Sequence, residues 1–165
     1  MVSHKKSWQD KMANKKGIPK VLILEKNFPC YPPLAKMGAK VGDRVVLTNP
    51  TDVAEVMNNI PQGKLITINE ICRKLAKKFK VDACCTLTTG IFIMTAANAA
   101  EEAKKEGKIN NNPYWRTLKS AGFLNDKYPG GQEAQRRLLE EEGFKIIKRG
   151  KKFQVADYEK YLVGV

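Results

Sequence analysis

The side chains best placed to do chemistry in this chain stand together at Pro113-Tyr114-Trp115-Arg116, followed by Tyr128-Pro129-Gly130-Gly131 and, further on, Glu142. A phenol titrates near pH 10, about three units above neutrality, so Tyr114 needs an adjacent base before it can attack anything. An indole N–H only donates and relays no proton, so Trp115 cannot be that base. The one histidine, His4, lies in a lysine-rich tail. Acid–base catalysis, histidine–metal ligation and thiol activation by imidazole therefore lack their usual group, and no metal or cofactor is expected. Cys30, Cys72, Cys84 and Cys85 show no CxxC spacing, so neither a zinc cluster nor a disulfide framework is predicted. Cys84 and Cys85 precede a predicted helix, whose N-terminus can lower a thiol pKa; the competing reading is four small buried core residues.

Thirty Lys and Arg against seventeen Asp and Glu give the 165-residue chain a formal charge of +13. That balance favours an anionic partner, most simply nucleic acid, although a well-solvated basic surface fits the same count. No apolar run reaches the roughly 20 residues that span a bilayer, and the basic N-terminus lacks the apolar segment of a signal peptide. A cytoplasmic protein with no membrane partner is expected.

The elements that must position these residues follow from pattern. Residues 1–20 read as a basic arm, helical around Trp8 to Met12. Val21 to Leu24 and Arg44 to Leu47 read as strands. Three prolines between Phe28 and Pro33 predict a loop, because proline removes a backbone donor and fixes φ. Asn49-Pro50-Thr51 opens a helix to about Asn59, and Pro61-Gln62-Gly63 ends the segment. Thr67-Ile68-Asn69-Glu70 is a capping box; Ile68, Ile71, Cys72, Leu75 and Phe79 then mark one face of a helix whose other face carries Arg73, Lys74, Lys77 and Lys78. Thr86, Thr88 and Thr89 offer caps to a long helix running to about Lys105 and closed by Gly107. A helix covers Gln132 to Glu142. Phe144 to Val155 reads as a β-hairpin with Lys148, Arg149, Lys151 and Lys152 around its tip, and a short helix ends the chain over Ala156 to Leu162. Two helices joined by a turn and followed by a basic hairpin predict a winged helix: a mainly α fold with small β, residues 51–165 forming the domain and residues 1–50 an irregular α/β extension packed on it or flexible to it. The hairpin reads equally well as a soluble sheet edge.

Several landmarks in order resemble the DNA-binding domain of the methylated-DNA–protein-cysteine methyltransferases over roughly residues 53–143. Ile60-Pro61-Gln62-Gly63-Lys64-Leu65-Ile66-Thr67 is similar to that family's "IPxGxVxTY" approach to its first DNA-binding helix. Pro113-Tyr114-Trp115-Arg116 stands where the family carries Pro-Cys-His-Arg. Ser120-Ala121-Gly122 is similar to the turn that follows, Tyr128-Pro129-Gly130-Gly131 to the aromatic-glycine stretch lining the alkyl pocket, and Leu138-Leu139 with Glu142-Gly143 to the "LLxxEG" helix end. The family's nucleophile and base are thus replaced by Tyr114 and Trp115, while its orienting glutamate persists as Glu142, the remnant of a charge relay.

The resemblance implies the alkyltransferase-like branch, which has an aromatic at the cysteine position, binds alkylated guanine without repairing it and marks it for nucleotide excision repair. On that reading the protein is no enzyme but a monomeric lesion sensor on double-stranded DNA, with repair proteins as partners. Its lesion pocket would hold Pro113, Tyr114, Trp115, Arg116, Tyr128, Gly130 and Gly131; the same aromatics could instead fill a vacated cavity as core. Its DNA contacts would come from Thr67, Arg73, Lys74, Thr88, Thr89, Ile91, Phe92, Lys148, Arg149, Lys151 and Lys152. Two departures stand out. No Lys or Arg occurs between Lys80 and Lys104, so the family's inserted arginine is missing, leaving Ile91, Phe92 or Met94 as apolar wedges. Ile68 replaces the aromatic that assists nucleotide rotation. The alternative is therefore a winged-helix DNA- or partner-binding module that no longer flips bases.

Overall fold

The computed structural model describes residues 6–164, which pack around one long helix, α5 (Thr86–Lys105). Its uncharged first half is explained by burial: Phe92, Ile93, Ala96, Ala97 and Ala100 all face the core. The alanines let neighbouring backbones come close. Helices α3 (Pro50–Asn58) and α4 (Ile68–Lys78) pack on it, bringing Val53, Met57, Ile71 and Leu75 into the same cluster. Each such side chain contributes about 2 kcal/mol by leaving water. Asn49 caps α3, accepting from the Asp52 amide at 2.9 Å. Gly107, with φ of +73°, supplies the left-handed residue that follows α5.

Three small sheets frame the helices. Strand β1 (Lys20–Ile23) pairs antiparallel with β2 (Arg44–Leu47), which pairs parallel with β4 (Ala83–Cys84). This sheet joins residues on both sides of position 50. Strand β3 (Ile66–Thr67) runs parallel to β5 (Thr117–Leu118), tying the start of α4 to the segment after Arg116. Strands β6 (Ile146–Arg149) and β7 (Lys152–Val155) form a hairpin with a two-residue turn in which Gly150 takes φ of +63°. Helix α6 (Gly131–Glu141) lies between the second and third sheets in sequence and contributes Leu139 to a second core with Leu65, Leu118, Leu124, Phe144 and Val155.

The described residues thus form a mixed α/β fold with six α-helices and small sheets, where a mainly α fold was expected. The arm's helix, α1 (Trp8–Met12), docks on the second half of α5: Glu102 accepts from the amides of Trp8 and Gln9 at 3.1 and 3.2 Å. His4 lies outside the described residues. Three local expectations need correction. The proline-rich segment is not all loop, because Pro32 and Pro33 enter the first turn of a helix, α2 (Tyr31–Lys36), where their missing N–H groups would have no partner anyway. The threonines do not cap α5; Cys85 holds the N-cap, and Thr86, Thr88 and Thr89 are already inside the helix. The terminal helix is a 3₁₀ turn, Tyr158–Tyr161.

Candidate nucleic-acid interface

Tyr114–Arg116 form a single 3₁₀ turn that points its first ring inward. Tyr114 is 3% exposed and packs edge-on against Trp115 and Tyr128, with ring centroids 5.5 and 5.2 Å away. Its hydroxyl donates to Glu101 Oε1 of α5 at 2.9 Å. Burial, then the Glu101 carboxylate, push this phenol above its ordinary range, so it stays protonated. Tyr128 is equally buried, donates to the Thr117 carbonyl at 2.8 Å, and is pushed up by burial and by Tyr114. Gln135 holds the surrounding loops, donating to the Trp115 carbonyl at 3.1 Å and accepting from the Asn125 amide at 2.7 Å.

Glu142, just past the end of α6, gathers what was expected to be a relay. Trp115 Nε1–H donates to its Oε2, Arg116 Nε lies 3.0 Å from both carboxylate oxygens, and the Gly63 amide donates to Oε1 at 3.2 Å. Arg116 also donates to the Ile60 carbonyl at 2.8 Å. A carboxylate whose oxygens are saturated by donors, with no nucleophile in reach, is a clamp on three segments of chain rather than an acid or base. Gly130 and Gly131 both have positive φ, and a Cβ on Gly130 would stand 2.6 Å from that of Ala134. The two glycines therefore serve the tight start of α6.

The pocket expected among these residues is thus largely closed, because Tyr114 and Tyr128 are large enough to fill the space and both hydroxyls find partners. Pro113 is buried; Tyr114 lines a hollow of about 390 Å³ with Gly130, Glu101, Lys105 and Arg137, and another of about 450 Å³ with Trp115, Lys104 and Asn112.

A larger groove, about 660 Å³, opens elsewhere. One wall is the first half of α5, with Leu87, Gly90, Ile91 and Met94; another is the start of α4, Ile68 and Asn69; the third is the segment from Leu118 to Tyr128. Tyr128 alone of the expected pocket residues reaches it. Leu87 and Ile91, one helical turn apart, are 47% and 56% exposed on its lip. Lys119 and Lys127 are exposed on the opposite side. Pro33 of α2 also lines it, so the N-terminal segment contributes to its wall. None of Leu87, Lys119 or Lys127 carried a motif, and Asn69 was only the interior of the capping box; the sequence signal nearest the groove was the uncharged stretch opening α5.

The expected DNA contacts divide. Ile91 stands on the groove, and Lys148, Arg149, Lys151 and Lys152 are exposed on the hairpin. That hairpin is fastened to the groove's third wall: Leu124 N–H donates to the Phe153 carbonyl and Gln154 Nε2 to the Ala121 carbonyl, at 2.9 and 2.6 Å. Arg73 is exposed but paired with Glu70 at 3.2 Å, and Lys74 lines a separate hollow with Asp52, Glu55 and Lys78. Thr88 is half-buried and donates to Cys85 Sγ at 3.3 Å. Thr67, Thr89 and Phe92 need correction, since all three are at most 9% exposed. Thr67 spends its hydroxyl on Glu70 Oε1 at 2.6 Å, Thr89 pairs with Cys84 Sγ at 3.2 Å, and Phe92 belongs to the main core. All four cysteines are buried; burial pushes Cys30 up to about 11, and the hydrogen bond with Cys84, then burial, push Cys72 up. The hydrogen bond with Cys72 moves Cys84 the other way, downward, and all four are buried core side chains.

The fold is not new. It is similar to that of S. pombe Atl1 in complex with damaged DNA containing O6-carboxymethylguanine, with a TM-score of 0.51 and 21% identity over 70% of this chain and 94% of that one. A structure of S. pombe ATL in complex with DNA aligns with a TM-score of 0.49, the same identity and the same coverage. No family model matches the chain, and no curated protein does. At 21% identity the likeness to Atl1 establishes the shared architecture.

Proposed function

We propose that this protein is a non-catalytic DNA-binding protein that accepts an alkylated guanine from duplex DNA in the groove beside the first half of α5. The observation that carries this reading is the groove itself: an apolar hollow walled by a helix, floored by Tyr128 and rimmed by Lys119 and Lys127, on a chain of charge +13. Extruding a base costs a few kcal/mol, which a concave apolar site with an aromatic ring offsets by stacking and edge contacts. Leu87 and Ile91 are the side chains positioned to enter the base stack, as apolar wedges do in proteins that kink DNA. The basic hairpin, braced against the groove's third wall, serves as a wing on the phosphates. The fold shared with Atl1, which was solved on damaged DNA, supports the same reading. Absence of reaction follows from the residues: a protonated, buried phenol at position 114, a saturated Glu142 and buried thiols leave no acceptor for an alkyl group.

The test is binding to two duplexes that differ only in one O6-methylguanine, by fluorescence anisotropy at fixed salt. Tighter binding to the lesion duplex, with no alkyl adduct on the protein by mass spectrometry, is the expected result. Equal affinity for both duplexes would instead favour a DNA-binding module that does not flip bases, a reading favoured by the lack of Lys or Arg from 81 to 103. An adduct would overturn the non-catalytic assignment.

A further inference from the structure

Among the described residues, the outer edge of β1 is unpaired, and three of its four residues are apolar. Sheet order is β1-β2-β4, so β1 has a neighbour on one side only. The Leu24 N–H donates to the Asp43 carbonyl at 2.8 Å, on the β2 side. Alternation along an antiparallel ladder then points the N–H and C=O groups of Leu22 toward β2 and those of Val21 and Ile23 outward. Among the described residues no backbone hydrogen bond outside the ladder engages Val21 or Ile23. Their side chains share one face and are 42% and 56% exposed, two of the six exposed large hydrophobics. Natural edges are blunted by short length, charge, proline or a bulge; this four-residue edge carries Lys20 at its first position, and Val21, Leu22 and Ile23 after it have neither charge nor proline. Exposed Lys20 and Lys26 bracket it, and exposed Arg44 lies across from Ile23 in the register.

We infer that β1 is a docking edge for an extended, acidic segment of a partner protein, which adds a fourth strand to the β1-β2-β4 sheet. The outward amides and carbonyls of Val21 and Ile23 supply main-chain pairing. Their side chains select alternating apolar residues, Lys20 and Lys26 at the two ends of the edge select acidic ones, and Arg44, on the same face as Ile23, adds positive charge beside it. The charge of +13 disfavours a second copy of this chain as the occupant. This edge is separate from the DNA groove, and the inference does not depend on the function proposed above.

The probe is a labelled acetylated peptide alternating Val with Asp and Glu, titrated into the full chain. Saturable binding with slowed amide exchange at Val21 and Ile23 is expected. Ile23→Pro removes one outward N–H from an edge position and should weaken binding at least tenfold. Lys20→Glu with Lys26→Glu, at fully solvated positions, should do the same without touching the fold. Equal binding of a peptide with Lys in place of Asp and Glu would overturn the inference. So would unchanged affinity in both variants, displacement of the peptide by duplex DNA, or protection of the edge by self-association.

Discussion

The aromatic cluster around Tyr114 and the groove beside α5 share Tyr128 as a common wall, yet they are opposites. The cluster contains the residues that carry a motif, and it is packed shut, with Tyr114 and Tyr128 each 3% exposed. The groove is lined mainly by residues outside those motifs, and it is open. Two large rings fill the cluster, because a buried phenol with a satisfied hydroxyl is more stable than an empty cavity. What remains able to receive a ligand is the space the rings do not reach.

That contrast can be broken most forcefully at Glu142. Glu142→Ala leaves the mostly buried Arg116 unpaired and frees the Trp115 and Gly63 N–H groups, and should cost about 3 kcal/mol of stability in urea titrations. An enzyme's general base, by contrast, can be removed with little loss of stability. Tyr114→Phe deletes the hydroxyl bonded to Glu101 and should cost about 1.5 kcal/mol. It also tests a pH dependence. Tyr114, Tyr128, Cys30 and Cys72 all hold their protons to higher pH in the folded state, so the unfolded chain binds fewer protons there. Stability should fall as pH rises above the ordinary thiol range near pH 9, through about pH 11 and beyond, while Cys84, lowered by its hydrogen bond with Cys72, contributes the opposite slope below that range. Thermal melts from about pH 7 to 11 should show that slope, and Tyr114→Phe should make it shallower.

On the groove side the order reverses, with binding affected and stability spared. Leu87→Ser with Ile91→Ser replaces exposed side chains and should leave the melting temperature within a few degrees. It should reduce preference for a lesion duplex about tenfold, or roughly 1.4 kcal/mol. Loss of stability without loss of preference would make the lip a packing feature instead. The smallest effect is expected at the hairpin. Lys151→Ala with Lys152→Ala should weaken binding to both duplexes alike and lower the salt slope by about 1.8, that is, about 0.9 for each phosphate left without its lysine.

Local signals in the sequence are legible where they depend on neighbours along the chain. The apolar spacing of Ile71, Cys72 and Leu75 marks the buried face of α4, the Asn49-Pro50 pair places the start of α3, and the alternating segment with Gly150 specifies the β6–β7 hairpin. Pairing of Thr67 with Glu70 at the start of α4 is legible too. The parallel pairing of β2 with β4 is not, since it joins segments some forty residues apart with two residue pairs. Nor is α2, where three prolines argue for a loop unless two of them fall in a helix's first turn.

By itself, the sequence determined the charge, the helix periods and the lack of any histidine beyond His4, because each is a property of residue type or of short-range spacing. Only the tertiary structure decided that Tyr114 is core, that Glu142 clamps Arg116, Trp115 and Gly63, and that the open space lies between α4, α5 and the segment 118–128. Those outcomes depend on which volumes are already filled when distant segments meet, and a ring's size is known from sequence while the room left for it is not.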